Sequence, residues 1–173
     1  MDMRFPIGKF EAPPSVTPKQ RDEWIKDFAA APAQLREAVL GLDDRQLDTP
    51  YRDGGWTVRQ VIHHVVDSHI NCYVRFRLAL TENSPTIKPY DEAKWAELHD
   101  ARTEPVEVSL LLLDQLHRRW VSLLHSFSED DFARVFHHPE GGTRRLDVVL
   151  GIYAWHGRHH AAHITGLRER MNW

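Results

Sequence analysis

Trp155-His156-Gly157-Arg158-His159-His160-Ala161-Ala162-His163 places four histidines within eight residues. The run lies inside the last of several apolar-periodic segments, where the spacing predicts a helix from about Leu146 to Glu169. Residues three and four apart on an α-helix share a face, so His156, His160 and His163 point roughly the same way. His156 and His160 form an H-x-x-x-H pair, a spacing that lets two imidazoles reach one metal ion. The first question is therefore whether a third ligand arrives from another element.

Working outward from this helix, three more long segments carry a helical period. Thr17 then Pro18 make an N-cap and first-turn pair, and Trp24, Ile25, Phe28, Leu35, Val39 and Leu40 continue as an apolar stripe in which Pro32 is expected to kink or divide the helix. Thr57 caps a second helix predicted to run to about Thr81, with Val58, Val61, Ile62, Val65 and Val66 on its apolar side. A third spans roughly Glu107 to Phe127, with Leu110, Leu113, Leu116, Trp120 and Leu124 in a stripe. Between them lie a polar segment from Asp43 to Gly55, a proline-bearing loop from Asn83 to Tyr90 and a short helical segment from Asp91 to His99. Ser128 and Asp130 suggest another cap before a loop, His137 to Arg145, in which His137 and His138 are expected to be exposed. Residues 1–16, with Pro6, Pro13 and Pro14, are expected to form an extended arm along the bundle or against a partner. Four amphipathic segments without a strand series predict an all-α four-helix bundle, with residues 1–173 as one domain.

The chain has 173 residues, enough to bury a core. A net charge of −3 provides no basic field for nucleic acid. No run approaches the ~18 apolar residues of a membrane span. The N-terminus has no apolar signal-peptide core, and a lone Cys72 suits a reducing, cytoplasmic setting.

The second helix carries His63-His64-Val65-Val66-Asp67-Ser68-His69. At ~100° per residue, Gln60, His64, Asp67, Ser68 and Asn71 fall on one stripe beside the apolar residues. Polar groups facing a core need partners, and a metal site shared between facing helices supplies one. Three neutral imidazoles, His64, His156 and His160, would leave a divalent ion one open coordination position, the pattern of catalytic zinc. Imidazole suits nickel and iron as well. Spacing alone leaves His159 and His163 as substitutes within the same arc. Asp67 reads as a ligand, a base, a partner for an imidazole or an ordinary satisfied polar residue.

Two motifs carry a family resemblance. Trp56-Thr57-Val58-Arg59-Gln60-Val61-Ile62-His63-His64-Val65-Val66-Asp67-Ser68-His69 resembles the first metal motif of the DinB/YfiT-like superfamily, and Tyr153 to Ile164 resembles its second. Phe5-Pro6-Ile7-Gly8, Tyr51-Arg52-Asp53-Gly54-Gly55-Trp56 and Pro89-Tyr90-Asp91 are similar to the YfiT branch, whose members are taken as metal-dependent hydrolases related to bacillithiol transferases. Val66 departs from the smaller residue common in relatives, at a position that is not a ligand. The resemblance implies a homodimeric four-helix bundle with zinc or nickel on His64, His156 and His160.

A metal-dependent hydrolase acting on a small molecule is the leading expectation, with Asp67 or His163 moving protons. A thiol S-transferase is its rival, in which a low-molecular-weight thiol is bound as thiolate. A third reading is a non-enzymatic metal-binding or stress-related interaction module. Trp56, Trp120 and Trp155 read either as an aromatic wall or as core, and Cys72 as a group near the ion or a small buried residue. Arg52 and Arg75 read as anion anchors or ordinary ion-pair partners, and Tyr90 with Asp91 as part of a lid or a turn and cap.

Overall fold

The computed structural model describes residues 2–173. In chain order the elements are α1 (Pro18–Val39), α2 (Asp44–Leu47), α3 (Val58–Thr81), α4 (Glu92–Ala96) and α5 (His99–Thr103). They continue with α6 (Val106–Leu124), α7 (Glu129–Ala133), strands β1 (Val135–His138) and β2 (Gly142–Arg145), and α8 (Leu146–Met171). Thr17 caps α1 by accepting from the Gln20 N–H at 3.2 Å, with Pro18 in the first turn, where its missing N–H costs nothing. Thr57 and Gln60 form a reciprocal capping box that starts α3. Asp43 with Gln46 does the same for α2, inside the polar segment from Asp43 to Gly55.

α1 runs unbroken through Pro32, so of the kink or division expected there the division does not occur. Ala31, Leu35 and Ala38 are buried on either side of the proline. That burial outweighs the cost of about 3 kcal/mol that proline imposes on a helix interior. The predicted loop from His137 to Arg145 is also corrected, because β1 and β2 pair antiparallel with His138 opposite Gly142. Buried Phe136 anchors this hairpin, and Gly142 takes the positive φ of 69° that the tight turn requires. His137 is an exposed strand residue whose backbone pairs with Pro85 and Ile87.

The four long helices form a ring in which α1 packs on α6 and α8, and α3 packs on the same two. Consecutive long helices α1 and α3 thus face each other across the bundle. One buried cluster combines Phe28, Phe76, Trp120 and Leu150; the other combines Leu35, Val61, Leu113 and Ile164. The order in which each helix meets the two clusters makes α1 parallel to α8 and α3 parallel to α6. Between the clusters is a waist of buried or half-buried histidines: His64 and His69 on α3, His117 on α6, and His156 and His160 on α8. Gly157 lies at this level, where a Cβ would come 2.6 Å from the Ala31 Cβ, so only glycine lets α8 approach α1 so closely.

Candidate metal centre

His64 projects from α3 and His156 and His160 from α8, and one ring nitrogen of each lies within 4.8 Å of the others. The Nε2 atoms of His156 and His160 are 3.2 Å apart. Two ligands on a tetrahedral ion at zinc–imidazole bond lengths are separated by about 3.3 Å. The donor set therefore fits a divalent ion, with His64 closing the third side. His64 makes no side-chain hydrogen bond among the described residues, and its ring lies 4.5 Å from that of Trp56. The Tyr51 to Thr57 turn places that indole, closed by the Tyr51 N–H donating to the Trp56 carbonyl at 3.0 Å.

Burial makes all three imidazoles poor bases. It pushes His64 down to about 4, with the nearby His163 adding to the effect. His156 and His160 are held well below the usual histidine range, first by burial and then by the neighbouring rings. Neutral rings offer lone pairs, the state a metal needs. His64 and His160 are buried, whereas His156 is half-buried.

His163 stands behind His160, with their Nδ1 atoms 3.3 Å apart, and its Nε2 lies 3.3 Å from the Arg4 carbonyl on the N-terminal arm. Its ring stacks on Tyr51 at 4.1 Å. The arm lies along α8, since the Trp155 indole also donates to the Gly8 carbonyl at 3.2 Å. His159, His160 and His163 form a second possible ligand triple sharing His160 with the first. His159 stacks on Trp155 at 4.3 Å.

Asp67 is half-buried and is not in hydrogen-bond contact with the three rings among the described residues. Burial, and secondarily the charge of Asp100, raises its carboxyl to about 6. His63 turns away from the cluster toward Ser109 Oγ at 2.7 Å and the Glu104 carbonyl at 3.0 Å. Cys72 is fully buried, and burial pushes its thiol up, which makes it an inert core residue. Trp120 is core, edge-on to Phe28 and Phe76. Arg52 donates to the Tyr51 hydroxyl and the Asp53 carbonyl, and Arg75 makes no ion pair among the described residues. Asp91 caps α4, and the neighbouring Tyr90 hydroxyl is buried without a partner.

Two residues were missed by sequence reasoning. His69 Nε2 lies 3.2 Å from His156 Nδ1, and His69 Nδ1 lies 2.7 Å from His117 Nε2. His117 Nδ1 is 2.8 Å from the Phe28 carbonyl. The available signal was His117 itself, a polar residue in register with the apolar stripe of Leu110, Leu113, Trp120 and Leu124.

The DinB superfamily model matches residues 27–164. A Bacillus cereus strain B4264 protein named "putative metal-dependent hydrolase" is 58% identical over 172 residues, covering 99% of both chains. A Bacillus mycoides strain KBAB4 protein of the same description is also 58% identical over 99% of both. Among solved structures, YfiT from Bacillus subtilis, described as "a probable metal-dependent hydrolase with an unusual four-helix bundle topology", superposes with a TM-score of 0.98. It shares 49% identity and covers 100% of this chain and 99% of its own. A second four-helix bundle protein, at 21% identity and a TM-score of 0.56 over 88% of this chain and 99% of its own, shares the fold. With that family model spanning most of the bundle and these relatives matching nearly end to end, the chain belongs to the DinB superfamily.

Proposed function

We propose that this protein is a metal-dependent hydrolase of small molecules whose ion is held by His64, His156 and His160, zinc first and nickel second. The observation that carries the reading is the 3.2 Å approach of the His156 and His160 Nε2 atoms beside a His64 ring that has no side-chain hydrogen bond among the described residues. A divalent ion held there would supply Lewis-acid polarisation and a nucleophile at neutral pH. The protein residues set the surroundings. The Trp56 ring packs against the His64 side, and half-buried His156 is the side from which a substrate would approach. Asp67, raised to about 6, changes protonation near neutrality and suits the uptake of a proton from a reacting group or its return. His163 contacts His160 and suits holding that ring in place or taking a proton. A cytoplasmic homodimer completes the reading, in keeping with the lone buried Cys72 and the family resemblance.

The test is metal analysis and zinc competition on the purified protein, alongside a panel of small esters and amides assayed with and without a thiol. Stoichiometric metal, turnover in water alone and loss of both in His64→Ala are the expected results. Undiminished metal binding in both His64→Ala and His156→Ala overturns the ligand assignment. Product that forms only with added thiol replaces hydrolysis with thiol S-transfer.

A further inference from the structure

Behind the candidate ligand His156, two more imidazoles continue into the core and end on backbone. His69 is 0% exposed and His117 is 1% exposed, so neither meets water. The contacts run from the Phe28 carbonyl to His117 Nδ1 at 2.8 Å, from His117 Nε2 to His69 Nδ1 at 2.7 Å, and from His69 Nε2 to His156 Nδ1 at 3.2 Å. Phe28 also stacks on the His117 ring at 3.9 Å, which holds that imidazole flat against α1. Among the described residues no carboxylate joins the run.

A carbonyl oxygen can only accept, so the end of this run fixes its direction. His117 must carry its hydrogen on Nδ1 and donate it to Phe28. A neutral imidazole has one N–H, so His117 Nε2 is a lone pair and accepts from His69 Nδ1–H. His69 Nε2 is then a lone pair in its turn and accepts from His156 Nδ1–H. His156 is left with its lone pair on Nε2, the atom that faces His160. A doubly protonated His117 would reverse the two outer bonds and place a hydrogen on His156 Nε2. Burying that charge without a carboxylate makes this arrangement costly.

We propose that His69 and His117 are positioning residues that fix His156 as the Nδ1–H tautomer and aim its Nε2 lone pair into the metal centre. The proposal rests on the metal reading above. The outer nitrogen of a ligating histidine is usually tied to a carboxylate, a carbonyl or water. In this protein the carbonyl is two rings away. The relay lets a ligand in the waist of the bundle take its orientation from the backbone of the helix diagonally opposite α3. It also satisfies five ring nitrogens, both of His117, both of His69 and Nδ1 of His156, in a region where an unpaired polar atom would be destabilising.

The test has two arms, both using zinc alone as probe. In the first, long-range proton–nitrogen NMR on protein labelled with nitrogen-15 histidine reads the tautomer of each ring directly. His69 and His117 are expected as Nδ1–H tautomers with and without zinc, and His156 as Nδ1–H with zinc on Nε2. In the second, chelator competition measures zinc Kd. His69→Phe and His117→Phe are expected to weaken binding about 10- to 100-fold. His69→Gln, whose amide both donates and accepts, is expected to recover most of the loss. A wild type that binds zinc but carries His69 as the Nε2–H tautomer overturns the relay, whether or not the Phe variants fold. Unchanged Kd in both folded Phe variants overturns it too. Failure of the wild type to bind zinc overturns the metal reading itself and the relay's purpose with it.

Discussion

Two polar runs leave the candidate metal centre in opposite directions, and they are anchored very differently. From His156 the run passes through His69 and His117 to the Phe28 carbonyl, every step inside the bundle. From His160 it passes through His163 to the Arg4 carbonyl, on an arm that lies outside the four helices. Arg4 itself is exposed and belongs to no helix or strand, whereas Phe28 is 0% exposed in the middle of α1. Both runs end on an acceptor, so both leave an Nε2 lone pair pointing at the gap between His156 and His160. Two facing lone pairs 3.2 Å apart repel unless a cation lies between them. The core run fixes its ligand for as long as the protein is folded. The arm run holds its ligand only while the arm is seated.

The sharpest way to break this comparison is to remove one member from each run and measure zinc affinity. His156→Ala deletes a proposed ligand and should cost more than 100-fold. His163→Ala deletes only the support behind a ligand and should cost about tenfold, at the lower edge of outer-shell effects. Equal losses would mean that His163 is itself a ligand, through the alternative triple it forms with His159 and His160.

Acid separates the runs next. Burial pushes His117 down to about 4, with a smaller opposing effect from the Phe28 carbonyl. In the unfolded chain the ring titrates near 6.5. Below that pH the unfolded state takes up a proton that the folded state refuses, so the stability present above pH 6.5 is lost as pH falls toward 4. By pH 5 one such ring costs about 2 kcal/mol. Chemical denaturation of the metal-free protein at pH 7 and pH 5 should show this loss, and a folded His117→Phe should show less of it. His163 has an easier escape, because the arm can leave and expose it without unfolding the bundle. His163→Phe should therefore leave the acid slope nearly unchanged. An identical flattening in both variants would erase the distinction between core and arm.

The parts of this design that were legible from sequence are those written within one helix. Thr17–Pro18 and Thr57–Gln60 mark helix starts through local hydrogen bonding, and the apolar periods mark the faces. The spacing of His156 and His160 announces a shared face for the same reason. What crosses between helices was not legible. Nothing in the order of the segments says that α1 and α3 sit diagonally, because that depends on where the connection through α2, from Leu40 to Thr57, returns the chain. His69 and His117 were passed over for a related reason. Each looks like a solitary core histidine until α3, α6 and α8 are brought together. Pro32 misled in the other direction, as a local helix-breaking signal overridden by packing on α8. The small hairpin was hidden because strands of four residues, one of them fully exposed, carry too few alternations to register as a pattern.

The smallest effect expected is also the one that isolates the arm. Deleting residues 2–8, with Met1 kept, removes the Arg4 carbonyl from His163 and the Gly8 carbonyl from the Trp155 indole. Both bonds are 3.2 to 3.3 Å long and one belongs to an exposed pair, so each contributes at most about 1 kcal/mol to stability. The melting temperature of the metal-free protein should fall by no more than a few degrees. Zinc affinity should fall a few-fold, because His163, freed of its acceptor, is as content to donate to His160 Nδ1 as to accept from it. If it donates, the hydrogen of His160 moves to Nε2 and competes with the ion. The same NMR measurement that reads the core run would show this as a mixture of His160 tautomers in the truncated, metal-free protein, while His69 and His117 stay as they were. A truncated protein whose His160 tautomer and zinc affinity both match the full chain would show that the arm only covers α8, leaving the core run as the sole orienting device of the centre.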